Sequence, residues 1–221
     1  FPRGALVDAK HVRLVDVGGK TLPCQAETLT RWPDGSVKWL LLSTFSPAES
    51  RCRLEYGTEV QPAQSDSRLL VSEDSKGVVL DTGTLRLLLG RGGSPLIQGI
   101  WVDRDGDGTY SSEEQLVESG HLRANRTFHS TGQPPEITIE ERGPVRATVK
   151  VTGAYVSPAG KLLDYVLRVH AYEGADFVTM EHTFLRRDGE LKIDLNDVSL
   201  VLDLPESGLL TELQWETAKR S

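Results

Sequence analysis

The feature that most constrains this chain is a succession of short strand-like runs with no helical run of comparable length between them. Each run alternates apolar and polar residues or is rich in β-branched residues, and turn-forming residues separate it from the next. The best candidate for a short helix is the segment 112–118, and parallel βαβ units would need crossover helices that are absent. We therefore predict an all-β fold, an antiparallel sandwich or barrel of about thirteen strands. The predicted strands are 11–16, 24–32, 36–45, 51–57, 78–81, 85–89, 96–102, 136–141, 145–156, 162–172, 177–186, 193–202 and 209–215.

Polar loops indicate a division into two β units. The loops are PAQSDS at 62–67, RGGS at 91–94 and TFHSTGQPP at 127–135. We predict an N-terminal β meander or barrel at about 1–65 and a larger antiparallel sandwich at about 75–215. One continuous domain over 1–221 is the alternative.

The charge balance excludes two classes of partner. The 221 residues carry 25 basic and 32 acidic side chains, a net charge of −7. Nucleic acid needs a basic face, and no Lys/Arg cluster occurs, so we expect no nucleic-acid binding. No apolar stretch approaches the length that spans a bilayer, so we expect no membrane insertion. The sequence opens on FPRGAL and has Met180 as its single methionine, which predicts a processed or excised form.

The segment RWPDGSVKWL at 31–40 predicts a β-hairpin with Asp34–Gly35 as a two-residue turn. This register pairs Thr30 with Trp39 and places Trp39 diagonally from Trp32 on one face. The favoured interpretation of the two tryptophans is a core contact. The alternative is a platform on which sugar rings stack.

The same register predicts a three-stranded meander in which Cys24 and Cys52 flank Phe45 from opposite sides. Two strand spacings then separate the cysteines by roughly 10 Å, beyond disulfide reach. We therefore expect two buried, free thiols.

The segment DRDGDGTYSSEE at 103–114 matches the twelve-residue calcium-loop pattern in full. Three carboxylates within five residues repel one another unless a cation lies among them, and Gly108 permits the sharp turn. The flanking segment 96–102 is a predicted strand, so the loop lies outside a helix–loop–helix unit. A solvated acidic turn is the alternative. The predicted Ca²⁺ ligands are Asp103, Asp105, Asp107, Thr109 through its carbonyl, Ser111 and Glu114. Such a site suits an extracellular or periplasmic protein, where calcium is abundant.

A second hairpin is predicted at 162–186, with Gly174–Ala175 as its loop. Arg168 then faces Glu181, and His170 faces Thr179. Arg can pair with a carboxylate, Tyr offers a stacking face and His can move protons, which suits an acidic sugar. The candidate substrate-binding residues are Arg168, His170, Tyr172 and Glu181, with Trp32 and Trp39 from the first hairpin. The alternative is a solvated sheet face with an ordinary Arg168–Glu181 ion pair. His182, on the apolar face, is expected to be a core histidine.

Several segments together resemble the N-terminal β region of exo-rhamnogalacturonan-lyase-like bacterial proteins. They are FPRGAL at the start, LPCQAETLTRWPDGSVKWLLLSTF at 22–45, LDTGTLRLLL at 80–89, GPVRATVKVTG at 143–153 and LRVHAYEGADFVTMEHTF at 167–184. The resemblance implies a RIFT-type barrel as first domain, and a longer protein in which a helical toroid carries much of the catalytic apparatus. No catalytic residue is implied at any matching position of this chain.

Three functions follow as hypotheses. The first is a non-catalytic β region of an exported polysaccharide-lyase-like protein, a scaffold or cleft wall for acidic pectic sugar, with a structural calcium loop. Its partners would be acidic polysaccharide or oligosaccharide and a C-terminal helical catalytic domain of the same full-length chain. The second is a stand-alone carbohydrate-binding module, and the third is a purely structural or assembly domain. Under the first hypothesis the 221 residues alone are expected to be inactive, with the candidate residues on an open sheet face that has no second wall.

Overall fold

The computed structural model describes residues 1–45, 51–62, 66–92, 95–186 and 194–206. These residues form seventeen strands, most of which alternate buried and exposed side chains. The all-β prediction is confirmed. The strands are β1 (Val12–Asp16), β2 (Thr21–Leu22), β3 (Cys24–Arg31), β4 (Val37–Thr44), β5 (Cys52–Tyr56), β6 (Leu70–Glu73), β7 (Gly77–Asp81), β8 (Leu85–Gly90), β9 (Ile97–Val102), β10 (Gln115–Val117), β11 (Ser119–Ala124), β12 (Phe128–His129), β13 (Glu136–Arg142), β14 (Arg146–Ser157), β15 (Gly160–Tyr172), β16 (Val178–Leu185) and β17 (Val198–Asp203).

The predicted helix at 112–118 is wrong. A single 3₁₀ turn occupies Ser112–Glu114, and the chain then enters β10. β10 pairs with β9, with Gln115 opposite Trp101, and this ladder satisfies backbone groups that a helix would have satisfied internally. The predicted strand at 209–215 lies outside the described residues.

Strands β1 to β5 pack around a small core of their own. One sheet has the order β2-β1-β5, and β3 pairs with β4 as a two-stranded hairpin. Leu6, Val12 and Val37 form the centre of this core. Leu40 and Leu42 cover it from one face of the hairpin, so the other face of the hairpin points away from the core.

Strands β6 to β17 form one twelve-stranded antiparallel sheet. Its main path is β16-β15-β14-β12-β11-β9-β8-β7-β6, with β10 on β9, β13 on β14 and β17 on β11. A single core cluster contains Leu80 and Leu87 near one end of this path and Val149 and Val169 near the other. The two ends of the sheet therefore face each other across one core, which is the arrangement of a sandwich.

The two units meet where β3 approaches the turn between β13 and β14. The Gln25 side-chain oxygen accepts hydrogen bonds from the backbone N–H groups of Arg146 at 3.0 Å and Val145 at 3.4 Å. Beside this contact lies a cavity of about 450 Å³, whose charged lining includes Glu27 from the N-terminal unit and Glu140 and Glu141 from the sandwich. The candidate residues on the sandwich therefore lie close to a second unit.

Candidate functional site

A polar face runs across β14, β15 and β16. We define it as Arg146, Thr148, Lys150, Arg168, His170, Tyr172, Thr179 and Glu181. Thr148 pairs with His170, and His170 in turn pairs with Thr179, while Arg168 pairs with Glu181 as the sequence predicts. The alternate residues, such as Val149 and Val169, are fully buried in the core. The polar side chains therefore share the opposite surface of the sheet.

His170 is the buried centre of the polar face. Its side chain is nine-tenths buried, and its Nδ1 is hydrogen-bonded to the Thr148 hydroxyl at 2.9 Å. Its Nε2 is buried and has no hydrogen-bond partner among the described residues. The nearest carboxylate oxygen, Oε1 of the exposed Glu181 side chain, is 3.8 Å away, too far for a hydrogen bond. A buried ring nitrogen without a partner can form one hydrogen bond with a ligand that covers the polar face, as acceptor or as donor according to the tautomer.

Arg168 does not form the expected cross-strand ion pair with Glu181. Its guanidinium binds Glu140 of β13 through two hydrogen bonds, from Nε at 2.7 Å and from a terminal nitrogen at 3.2 Å. These bonds hold the pKa of Glu140 below its usual range, and they raise that of Arg168. Arg146 is paired in the same way with Glu141. Both arginines are therefore already paired with carboxylates of β13, Arg146 from the adjacent strand and Arg168 across the intervening β14.

Tyr172 connects the polar face to the N-terminal unit. Its ring contacts Phe45 edge-on, with 6.4 Å between ring centroids, and it contacts Phe177 at 5.9 Å. Its hydroxyl lies 3.4 Å from that of Thr179. The expectation of an open sheet with no second wall is wrong at this end, because the segment after β4 reaches the sandwich.

A buried threonine supports the hairpin that carries the polar face. Thr82, which is fully buried in the turn between β7 and β8, donates its hydroxyl hydrogen to the Ala175 carbonyl at 2.6 Å. Its own carbonyl accepts the Gly174 N–H at 2.8 Å. Two hydrogen bonds therefore fix the β15–β16 turn to the turn between β7 and β8.

The first hairpin departs from its predicted geometry at the turn. Gly35 has a φ of +87° while Asp34 does not have a positive φ, and the Gly35 N–H donates to the Trp32 carbonyl. The loop therefore has three residues, 33–35, with glycine in the left-handed conformation. Pro33 favours this loop because the proline ring fixes its own φ near −65°. A register shift around Thr28–Thr30 then retains the Thr30–Trp39 pair and moves Cys24 opposite Thr44.

The two tryptophans do not share a core position. Trp39 is 63% exposed, so the core interpretation is wrong for it. Trp32 is half-buried, donates its indole N–H to the Phe1 carbonyl at 3.0 Å and lies under the Lys38 ammonium at 4.5 Å. The register shift is the physical reason, because it assigns Leu40 and Leu42 to the core side and Trp39 to the outer side.

The cysteines are both free, but the predicted meander is wrong. β5 pairs with β1, which places Cys52 opposite Asp16 instead of Phe45. Cys52 is exposed and Cys24 is half-buried, so only Cys24 is sheltered. Burial raises the pKa of the Cys24 thiol, and the nearby Cys52 thiol adds to this shift. The segment 46–50, which connects the second and third strands of the predicted meander, lies outside the described residues.

The acidic loop connects β9 to β10 and is anchored to the sandwich. The Asp103 N–H donates to the Thr84 carbonyl at 2.8 Å, and the Tyr110 hydroxyl donates to Asp81 at 2.7 Å. Arg86 pairs with the same aspartate and lies over the Tyr110 ring at 4.1 Å. Burial and the hydrogen bond to Asp81 raise the pKa of Tyr110, so its phenol stays protonated. The loop is therefore fixed to the sheet at its first residue and at Tyr110.

Three of the predicted metal ligands converge. Carboxylate oxygens of Asp103, Asp105 and Glu114 lie within 4.8 Å of one another. Asp103 accepts hydrogen bonds from Gly106 and Gly108, both of which have a positive φ. Glu114 accepts from the Arg104 and Ser111 N–H groups, and these bonds lower its pKa. The loop can thus gather carboxylates around a hard cation.

The other predicted ligands have different contacts. The Asp107 carboxylate accepts from the N–H and the hydroxyl of Thr109, at 2.7 and 2.8 Å. The Ser111 hydroxyl donates to Glu114 at 3.0 Å. Asp107 is outside the cluster of three carboxylates, but both of its bonds to Thr109 use Oδ1, so they leave Oδ2 for a cation. The Ser111 hydroxyl likewise keeps its oxygen lone pairs while it donates to Glu114.

Sequence reasoning does not identify Thr148, Glu140, Gln25 and Phe45 as members of this region. Thr148 and Glu140 are reached through strand pairing, and the partner of Gln25 is 120 residues away in the chain. Only the alternation in GPVRATVKVTG, which places Thr148 between Arg146 and Lys150, carries a local signal for one of them.

Comparison with known proteins identifies both units. The family model described as the PcRGLX-like N-terminal RIFT barrel domain matches residues 1–56, and the model described as the PcRGLX-like protein central beta sandwich domain matches residues 69–204. Uncharacterized protein YetA of Bacillus subtilis (strain 168) is 28% identical over 201 residues, which are 87% of this chain and 23% of that protein.

Two solved structures share the fold at 11% sequence identity. For an alpha-mannosidase from Enterococcus faecalis V583 the TM-score is 0.50, and the superposition covers 80% of this chain and 25% of the mannosidase chain. For a protein in the glycosyl hydrolase family 38 from Enterococcus faecalis the TM-score is 0.54, and the superposition covers 88% of this chain and 27% of that protein's chain. The chain thus spans about a quarter of the proteins that it matches.

The sequence resemblance is therefore confirmed. Because the central-sandwich match alone covers more than half of the chain, the chain belongs to the PcRGLX-like protein family, with the family's N-terminal RIFT barrel followed by its central β-sandwich.

Proposed function

We propose that this chain is the β region of a longer polysaccharide-lyase-like protein, in which it is a scaffold and one wall of a cleft for acidic, pectin-type sugar. Family membership supports the substrate class, and the quarter-length coverage supports a larger protein. The observation that carries the proposal is His170, a buried ring with an unsatisfied Nε2 in the middle of a polar face. A sugar hydroxyl is a suitable partner for that nitrogen.

Among the described residues, the polar face has no free cation for a uronate carboxylate, because Lys150 is also paired with Glu140. Elimination next to a uronate needs a base and a positive group that stabilises the developing charge. Arg146 and Arg168 are already bound to Glu141 and Glu140. We therefore propose that His170, Tyr172 and Thr179 bind and orient sugar, and that the remaining catalytic groups belong to a C-terminal helical domain of the longer protein.

We further propose that the acidic loop binds a structural Ca²⁺ and that the protein functions outside the cytoplasm. The convergence of Asp103, Asp105 and Glu114 supports the ion. Among the described residues no helix is long and apolar enough to cross a membrane. An extracellular or periplasmic location would provide both the calcium and the polymeric substrate.

Sugar binding is tested by NMR titration of the ¹⁵N-labelled chain with rhamnogalacturonan oligosaccharides. We expect shifts clustered on β14–β16 and an affinity near the millimolar range, which corresponds to about 4 kcal/mol. Tyr172→Ala should weaken binding, whereas Tyr56→Ala should not. Tyr56 is a matched control, since it is also partly exposed and also has an aromatic contact, with Phe1.

Two outcomes would contradict this assignment. Identical affinities for the two tyrosine variants would remove the polar face from the binding site. Loss of binding in Trp39→Ala with retention in Tyr172→Ala would favour the second candidate, a carbohydrate-binding module that uses the exposed Trp39 as a stacking surface.

A further inference from the structure

The β3–β4 hairpin has an apolar outer face. Trp39 and Leu41 on β4, and Phe45 just after it, alternate with core-facing residues and are 63%, 36% and 41% exposed. Their cross-strand neighbours on β3 are Thr30 for Trp39 and Glu27 for Leu41. A sheet face that is permanently solvated would carry mostly polar residues at these positions. We call the three residues, with Phe177, the hairpin face.

The hairpin face continues across the junction of the two units. Phe45 contacts Tyr172, and Tyr172 contacts Phe177, which is 53% exposed. The exposed parts of the four side chains of the hairpin face together amount to on the order of 400 Å², since each large apolar side chain can bury roughly 150–250 Å². Patches of this size on a monomer are frequently functional.

We infer that the hairpin face docks the part of the longer protein that follows the central sandwich, through an apolar surface on that part. This inference rests on the proposed function. In this family the matched sandwich is described as central, and the curated relative is about four times as long as the matched region. In a protein of that length, the polypeptide outside the matched region can supply the surface that covers the hairpin face.

The chemistry of the face favours a protein occupant over a sugar. Three of the four outward positions 39, 41, 43 and 45 carry large apolar side chains. The neighbouring arginine of the polar face, Arg146, is paired with Glu141 and is not available for a charged ligand. An apolar protein surface would bury this row without unpaired polar groups. Continuity with the existing Phe45–Tyr172 contact extends an interface that is already present between the units.

The test is hydroxyl-radical footprinting of the 221-residue chain and of the full-length gene product. We expect a several-fold loss of modification at Trp39 and Phe177 in the longer protein. Leu70 is the internal control, because it is 64% exposed on β6 and should be modified equally in both. Trp39→Asp should leave the melting temperature of the short chain unchanged but restore modification of Phe177 in the longer protein. Leu70→Asp should change neither the melting temperature of the short chain nor the protection of Phe177 in the longer protein.

Other results would overturn the inference. Equal modification of Trp39 in both proteins would show that the face is free. Protection in the short chain that increases with its concentration would assign the face to a second copy, and protection only with added oligosaccharide would assign it to sugar. A gene product that ends with this chain would instead refute the proposed function itself. Sugar binding at Tyr172 is measured separately, so the two failures are distinguishable.

Discussion

Replacement of Thr82 by valine isolates the support beneath the β15–β16 turn. Valine preserves the branched shape, so no cavity forms, but it removes a hydroxyl with four backbone contacts. The two shortest are with the Ala175 carbonyl at 2.6 Å and the buried Leu85 N–H at 2.8 Å, and those with the Leu85 carbonyl and the Thr84 N–H are both 3.2 Å long. Each buried group left without a partner costs about 1–3 kcal/mol. Because water can reach the half-buried Ala175, we expect a total loss of about 2 kcal/mol in the free energy of unfolding.

The assay is thermal unfolding combined with amide hydrogen exchange. A loss of 2 kcal/mol lowers the melting temperature by about 4–8 °C in a protein of this size. The Gly174 amide, which donates to the Thr82 carbonyl at 2.8 Å, should exchange faster because the turn is loosened.

Thr84→Val in the same turn is the matched control. The Thr84 hydroxyl is exposed and lies 3.4 Å from the Gly174 carbonyl, so its loss should cost less than about 0.5 kcal/mol. Equal effects of the two substitutions, or an unchanged Gly174 exchange rate in Thr82→Val, would refute the reasoning that Thr82 fixes the hairpin.

Three further predictions concern the metal, the thiols and pH. Calcium at about 100 times its dissociation constant should stabilise the chain by roughly 2.7 kcal/mol, and chelator or Asp105→Ala should abolish the gain; a chelator-independent melt would count against the site. At neutral pH, Cys52 should react with a thiol reagent faster than Cys24, whose pKa is raised by burial. After unfolding without reductant, two equivalents of thiol per chain should react. Burial lowers the pKa of His182 below 6.5, so the unfolded state binds its proton more readily and stability falls as the pH drops below that value. His182→Phe should lose less stability than the wild type between about pH 8 and pH 5, and equal losses would contradict this.

Local signals predicted the β15–β16 hairpin correctly because one tight turn and strict alternation fix its register. The pairs of Arg168 with Glu181 and His170 with Thr179 need only the position of Gly174. The partner of Arg168 could not be predicted, since Glu140 reaches it from a strand 28 residues earlier. Long-range pairing of this kind has no signature within either segment.

Other errors have equally specific causes. β11 was missed because its core-facing residues are Gly120, Leu122 and Ala124, and two small residues give little apolar alternation. The hairpin at Arg31–Val37 was displaced because Pro33 selects a three-residue loop, and a shift of this kind transfers side chains to the other face. The loop at 103–114 brings Asp103, Asp105 and Glu114 together, since its turns depend on glycines that the sequence shows directly.

The most direct test of the central claim is the absorbance of unsaturated uronate product when the 221-residue chain is incubated with rhamnogalacturonan. The account predicts no sustained turnover, because the arginines of the polar face are paired with Glu140 and Glu141 and the rest of the cleft belongs to the longer protein. The full-length gene product under the same conditions serves as the positive control. Sustained turnover by the short chain, abolished in His170→Ala, would contradict the account and make this β region the enzyme itself.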